Sequence, residues 1–489
     1  MKPLFTPEVM RAVDAEAVRL GYPSLLLMEA AGQAVARAAH DLLPSGRVAV
    51  LAGKGNNGGD GFSAARWLLH WGHEVAVFAA EDQRGDAALM RQAAEATGLL
   101  PLPLFEALEG LAGFDLIVDA LFGTGLGRPL EGAFAELVKA VNQSGLPVVA
   151  VDLPSGVPFS PHIRARRTVA LAGLKTAHLF APGRDAVGEL ILADIGMPEA
   201  AYAAAGALPQ LPEPGDAREL LPKRSSNAHK GSVGRVLIAG GYTTYTGAPA
   251  LAALGAYRTG AGLVTVAYPE KAPVNPPLEA VRRPLAEWSV NALKGVKAEA
   301  AAVGMGAGPE GPAAARAVLA LGLPTVLDAD ALQKEVVRAY ADAGVPAVLT
   351  PHPGEAARLL NESPAEIAKA PLEAAKALFW RYKLPVVLKG GPSVIAGEEG
   401  VIVNPTGNPA MATGGMGDVL SGAIAALLAA GLEPFEAAWL GVFLHGVAGD
   451  RVGRVGLVAS DVAHTLPEAR EAILTGRVAL PWTVYEDCA

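Results

Sequence analysis

Short apolar runs recur along the chain at Arg47 to Leu51, Glu74 to Phe78, Leu116 to Asp119 and Pro147 to Asp152, separated by Ala-rich stretches long enough for helices. This βα punctuation predicts a largely parallel sheet covered by helices on both faces. The rhythm pauses over Gly206 to Lys223, where Pro209, Pro212, Pro214 and Pro222 fall without a convincing period, so the segment reads as a linker. It restarts at Arg235 to Ala239 and continues through Gly262 to Ala267, Ala301 to Val303, Thr325 to Asp328, Ala347 to Thr350 and Val386 to Lys389. The pattern predicts two α/β domains, residues 1–207 and 225–480, joined by a linker over 208–224. At the start, Thr6, Pro7 and Glu8 read as the opening of a helix rather than a secretory signal.

Composition narrows the classes of function. A chain of 489 residues that is 51% hydrophobic and 18% charged is too long for one core and too apolar for general disorder. Its net charge of -9, with no Lys/Arg block, leaves no electrostatic footprint for nucleic acid or an anionic membrane, so the expected partners are small molecules. No apolar run predicts a membrane span. The single cysteine, Cys488, permits neither an intrachain disulfide nor a cysteine metal cage, which fits a reducing cytoplasm.

Strand ends carry the candidate chemistry, because ligands of open α/β sheets bind there. The first run leads into Gly53-Lys54-Gly55-Asn56-Asn57-Gly58-Gly59-Asp60-Gly61, followed by a helical stretch from Phe62 to Leu69. Glycines admit a ligand to the backbone, and the helix start offers free N–H groups to phosphate. Gly53, Gly55 and Gly58 satisfy the dinucleotide pattern, with Glu81 near the place of a ribose-binding acid, so a dehydrogenase is one reading. Asp60 beside the phosphates and the pair Asn56-Asn57 speak for a more particular ligand. Asp119, opening Asp119 to Gly127, and Asp152, opening Asp152 to Gly156, are each either a helix cap or a catalytic carboxylate.

In the second half, Asn408 to Asp418 precedes an apolar helical run from Val419 to Leu428. The N–H groups of Gly414, Gly415, Met416 and Gly417 would form a hole for a developing phosphoryl charge, with Asp418 just beyond to take a proton from an attacking hydroxyl. No Gly-Lys-Ser/Thr closes the loop, so it is not a Walker A site. Thr350 to Glu355, with His352, and Lys389 to Ser393 follow strands. The run from Leu327 to Leu332 offers carboxylates, natural partners of Mg²⁺ or simple surface caps.

The N-terminal half resembles the NAD(P)H-hydrate epimerases, through the GNNGGDG, DALFGTG and VDLPSG runs and Asp194 to Pro198, and the implied fold is a Rossmann-like three-layer αβα domain. The resemblance implies hydrated-dinucleotide contacts at Asn56, Asn57, Gly58, Gly59 and Asp60, and at Gly123, Thr124, Gly125, Leu126, Gly127, Arg128 and Pro129. It also implies potassium at Asn57, Asp119 and Ser155, and acid/base work by Asp152. From about Asn227 to Pro467 the chain resembles the ADP- or ATP-dependent NAD(P)H-hydrate dehydratases of the ribokinase-like superfamily, a second αβα fold. The matching residues include His229 to Gly231, Thr246 to Pro249, Arg258 to Gly262 and Asn408 to Asp418.

That second resemblance implies substrate contacts at Ala248, Gly308, His352 and Asp418. Nucleotide contacts would fall at Lys389, Gly390, Gly391, Pro392 and Ser393 and at Gly414 to Gly417, with ADP and Mg²⁺ and with Asp418 as base. Met416 departs from the Ser or Thr of relatives but keeps the backbone N–H. The expected substrates are hydrated NADH and NADPH, and the expected assembly is a homo-oligomer. A small-molecule kinase of the hydroxymethylpyrimidine type stays open, since the Gly-Gly-Met-Gly-Asp arrangement serves both chemistries.

Overall fold

In the N-terminal sheet the central strand, Arg47–Ala52, is buried along nearly its whole length, and its alternate residues feed two cores. Val48, Val50 and Ala52 pack with Phe62, Leu68 and Val35, whereas Ala49 and Leu51 pack with Leu137, Val138 and Val141. The period of two along a strand therefore makes this a three-layer unit, with helices Ser24–Leu42 and Asn56–His70 on one side and Gly132–Gln143 on the other. The computed structural model describes residues 1–231 and 233–485; Cys488 lies outside the described residues.

Among the described residues eight strands of this sheet run parallel, in the spatial order 482–485, 189–193, 167–171, 148–151, 116–120, 47–52, 74–79 and 102–103. The chain steps outward from Arg47–Ala52 in one direction, then crosses to its other side at Leu116–Ala120. That reversal opens a crevice at the carboxyl ends of these two strands, where Gly53 and Leu121 begin their loops. The helix predicted at Thr6 is Pro7–Arg19, and the Thr6 hydroxyl caps it by accepting from Val9 N at 3.3 Å.

The C-terminal sheet repeats the scheme. Its parallel strands follow the order 281–285, 263–269, 235–239, 300–303, 325–327, 347–349 and 386–388, with the reversal between Arg235–Ala239 and Ala300–Val303. An antiparallel hairpin, Val394–Gly397 and Gly400–Val403, extends it beyond the strand Val386–Leu388. The helix Met416–Ala429 has nearly every residue buried, so it reads as apolar on all sides.

Two boundaries differ from expectation. The chain divides into one unit spanning Pro3–Leu208 together with the chain end from Leu480, and another spanning Pro209–Ala479 together with Met1 and Lys2. Residues 208–224 are thus not a free linker. Gln210–Leu211 pairs with the hairpin strand Gly400–Val403, and helix Pro214–Leu220 docks on helices Pro434–Val452 and Ala459–Leu474 with Ala217 buried. Prolines mislead here because Pro214 sits at the first helical turn, where its missing N–H costs nothing.

The closing strand Trp482–Tyr485 pairs with Glu189–Ala193, and Trp482 is buried there. Replacing Trp482 by Ala removes that anchor and is expected to cost the N-terminal unit about 3–5 kcal/mol. Hydrogen exchange should then show the amides of Glu189–Ala193 losing protection while Arg235–Ala239 keeps its own. Equal loss in both sheets would contradict this assignment of the chain end.

Candidate active sites

Only Gly53 to Gly55 of the Gly-rich run after Arg47–Ala52 form a loop; from Asn56 onward the run is itself the first turns of helix Asn56–His70. Close packing demands glycine here: a Cβ on Gly58 would fall on the carbonyl of Gly53, and one on Gly123, in the loop after strand Leu116–Ala120, would come within 2.8 Å of Asn57 Oδ1. The helix start is thereby pressed against the crevice. A cavity of about 730 Å³ opens there, lined among others by Asn56, Asn57, Asp60, Thr124, Asp152 and Lys175. That size is typical of a small-molecule or cofactor site. Of the expected contacts, Gly123 to Leu126 also line it; Gly58 and Gly59 are buried behind it, and Gly127 to Pro129 continue the loop at the exposed surface.

Asp119 is fully buried at the end of its strand. Its Oδ1 accepts from Ser155 Oγ at 2.6 Å and Leu121 N at 3.3 Å, and its Oδ2 accepts from Ser155 N at 2.8 Å. Burial still pushes its carboxyl up to about 6, against the pull of those donors. Among the described residues Asn57 Nδ2 is buried without a hydrogen-bond partner.

Asp152 adopts a positive φ of 60°, uncommon for a residue with a side chain, and is held there from behind. His178 Nε2 donates to the Asp152 carbonyl at 2.6 Å while its Nδ1 accepts from Lys175 N at 2.9 Å, so the ring is neutral, and burial pushes it down to about 4. Asp152 Oδ1 accepts from Lys175 Nζ at 2.5 Å and from Leu171 N at 3.1 Å. Among the described residues no donor reaches Oδ2, the oxygen left for a ligand.

Lys175 and His178 are absent from the expected site. The available signal is a lysine ending the apolar run Val169 to Leu174, since a lysine buried in such a run needs a carboxylate.

Asp60 contrasts with Asp152. It is 8% exposed, and among the described residues no donor reaches its carboxyl group. Burial pushes its pKa well above the usual carboxylate range, with the charges of Asp152 and Asp14 adding and Lys175 opposing. The nearby helix start favours the anion by only about 0.3–1 kcal/mol, whereas leaving a buried charge unpaired costs several. Desolvation wins, and Asp60 holds its proton more tightly than an ordinary carboxyl group.

In the C-terminal unit the strand ends converge on one ionic cluster. Asp328 is 2% exposed; its Oδ1 accepts from Lys389 Nζ at 2.8 Å and its Oδ2 from Ser421 Oγ at 2.8 Å. Burial opposes the charge on Lys389, but Asp328 and Glu355 outweigh it and raise its pKa. Lys389 Nζ lies 3.2 Å from where a Cβ on Gly417 would sit, at the start of helix Met416–Ala429. Gly415 takes a φ of +90° as that helix's cap, turning the chain into it.

Asp418, in the first turn, is pushed up to about 7 by burial and then by Asp328, with Lys389 opposing. His352 caps its own helix: Nδ1 accepts from Gly354 N at 3.0 Å, while Glu355 accepts from His352 N at 2.8 Å and is itself pushed up to about 7, chiefly by burial. Gly308 N donates to Asp330 at 2.7 Å between the loops that follow strands Ala300–Val303 and Thr325–Leu327, and Ala248 opens the helix Ala248–Thr259 across the reversal. Gly390 and Gly391 lie at the exposed surface of the turn after Lys389, closed by Gly390 N donating to Ser393 Oγ at 3.3 Å. Sequence reasoning misses Ser421, and also Asp450, whose carboxylate accepts from Gly407 N at 2.8 Å and Asn408 Nδ2 at 3.0 Å and so fixes the loop entering the hole.

Two parallel sheets, each with carboxylates and a helix start gathered at its reversal point, define a two-domain α/β enzyme acting on phosphate-bearing small molecules. Residues 24–177 match the family described as YjeF-related protein N-terminus, and residues 236–469 that described as NAD(P)H-hydrate dehydratase. The bifunctional NAD(P)H-hydrate repair enzyme of Moorella thermoacetica is 39% identical, with 91% of this chain and 92% of that protein covered; that of Coxiella burnetii is 37% identical, covering 94% and 98%. Among solved structures, an ADP/ATP-dependent NAD(P)H-hydrate dehydratase from Bacillus subtilis, co-crystallised with ATP and Mg²⁺, is 33% identical, covers 53% of this chain and 97% of its own, and gives a TM-score of 0.48. The chain belongs to the family of bifunctional NAD(P)H-hydrate repair enzymes.

A carboxyl group whose folded pKa is raised above its unfolded value holds the native state back as pH rises from about 4 through the folded value, here about 7 for Asp418. Asp418→Asn removes that penalty. The ligand-free variant should therefore melt a few degrees above the parent at pH 8, with a smaller gain at pH 5. A gain independent of pH would refute the buried-charge account.

Proposed function

We propose that this chain repairs hydrated NADH and NADPH. The N-terminal unit interconverts the two epimers, and the C-terminal unit restores the reduced dinucleotide using ADP, releasing AMP and phosphate. The observation that carries this reading is the pairing, in one chain of this family, of two strand-end sites whose carboxylates suit proton transfer. The match to dehydratases along most of the C-terminal unit favours this over a hydroxymethylpyrimidine-type kinase.

In the epimerase site the fixed Oδ1 of Asp152 leaves Oδ2 to move a proton at the hydroxyl-bearing ring carbon, while Asn56, Asn57 and the loop from Gly123 to Leu126 hold the dinucleotide. Potassium fits the neighbouring donors. Asp119, Ser155 and the Asn57 amide oxygen are hard oxygen ligands, and a buried carboxylate raised to about 6 gains from a cation. The ion would supply a fixed positive charge for the dinucleotide's phosphates.

In the dehydratase site Asp418 takes the proton of the ring hydroxyl as its oxygen attacks the terminal phosphoryl group, so that phosphate leaves in place of hydroxide. The N–H groups of Gly414 to Gly417 and the Lys389 ammonium stabilise the charge that develops. Among the described residues no group of three or more His, Cys, Asp or Glu forms a metal cage. That fits Mg²⁺, which binds through one or two carboxylates plus substrate phosphates. Glu355 and Asp418 are the available acids, because Lys389 and Ser421 occupy both oxygens of Asp328; the ion would neutralise phosphate charge.

The same reading makes the enzyme a cytoplasmic homo-oligomer. With hydrated NADH, ADP and Mg²⁺, the absorbance of reduced nicotinamide should return for both epimers. Asp418→Asn should lower that rate by about 10² to 10⁴. The parent's kcat/KM should rise with pH through about 7, because the base form of Asp418 accumulates only above that value. No recovery with ADP or ATP would overturn the dehydratase assignment.

A further inference from the structure

Of the carboxyl groups that line the N-terminal cavity, two come from the ends of its central strands: Asp60 from helix Asn56–His70 after strand Arg47–Ala52, and Asp152 from the turn after strand Val148–Val151. Their surroundings are opposite. Asp152 is ion-paired to Lys175 and receives a backbone N–H, whereas Asp60 is buried with no donor at its carboxyl group among the described residues. The other charged groups on the cavity wall are Arg11 and Asp14 of helix Pro7–Arg19, Lys54, and Asp86.

Resting on the epimerase reading above, we propose that Asp60 is a catalytic acid, the protonated partner of the Asp152 base, and that epimerisation proceeds by loss and return of water at the ring carbon. Hydration of a reduced nicotinamide places the hydroxyl on a carbon bonded to the ring nitrogen. Asp60 gives its proton to that hydroxyl; the C–O bond breaks, its electron pair leaving with water, and the nitrogen lone pair forms a C=N⁺ bond. A second water adds to the same carbon from the other face, the C=N π pair returns to nitrogen, and Asp152 takes the proton of the incoming water. One hydroxyl is lost and one gained, and nothing is oxidised or reduced. The pair ends with its protonation states exchanged, which is the starting state for the opposite epimer. A pair of carboxyl groups kept in different protonation states by their environments is a recurrent way of assigning acid and base in one site.

The test uses the full chain and separated epimers of hydrated NADH, followed chromatographically without ADP. In heavy-oxygen water the product hydroxyl should acquire one label per epimerisation, well above the spontaneous rate; enzyme-dependent inversion without label would overturn the proposal. Asp60→Asn, near-isosteric, should lower kcat by about 10² to 10⁴ with KM little changed, and should abolish one limb of the pH profile. Full activity with an unchanged profile in Asp60→Asn would equally overturn it, the heavy-oxygen result on the parent chain deciding if the variant does not fold. A parent chain that exchanges no epimers at all would instead sink the epimerase reading itself.

Discussion

A carboxylate removed from water without a full set of partners is costly, and both units of this protein hold such groups at the ends of their central strands. Each is kept there by a lysine, Lys175 beside Asp152 and Lys389 beside Asp328. Asp152 has one oxygen tied and one open; Asp328 has both tied, and passes the charge of Lys389 on to the helix start beside Asp418. Everything else about the sites follows from keeping those groups dry and aimed: the glycines that let Asn56–His70 press onto its sheet, the neutral His178 behind Asp152, and the clamp of Asn408 by Asp450. A fold that only maximised its own stability would replace such groups, so their presence marks where stability is traded for chemistry.

The scaffold that permits this is the same in both halves. In each sheet the second run of strands starts on the far side of the first strand, and the resulting gap receives backbone N–H groups from one direction and acids from several strands. Acids, loops and helix starts that are far apart in the chain thus meet at one edge. Asp119 and Ser155 are hydrogen-bonded although separated by more than thirty positions.

That convergence explains what was legible in the sequence. The long central strands such as Arg47–Ala52 and Arg235–Ala239 announce themselves because both faces are buried, every residue after the opening arginine is apolar and a glycine-bearing turn follows. The strands Arg167–Leu171 and Glu189–Ala193 carry weaker signals, since no glycine-rich run follows them. Motif-bearing residues such as Asn57, Asp60, Asp119, Asp152 and Asp418 are visible because glycines surround them. Lys175, His178 and Ser421 are not, because their importance lies in partners 23 to 93 positions away. The proline-rich stretch near Pro214 shows the opposite error, local composition suggesting a tether where burial of Leu211, Ala217 and Leu221 builds structure.

The strand Trp482–Tyr485 lies parallel to Glu189–Ala193 and adds to the N-terminal sheet residues that are made only after those of the second unit. Until then the nascent first unit presents Glu189–Ala193 as an open edge, a template on which other chains can add strands. Synthesis of the second unit therefore falls within the interval during which the first is unfinished. A fragment cut near residue 207 would stay in that condition permanently, so the order of translation ties the completion of one enzyme to the production of the other.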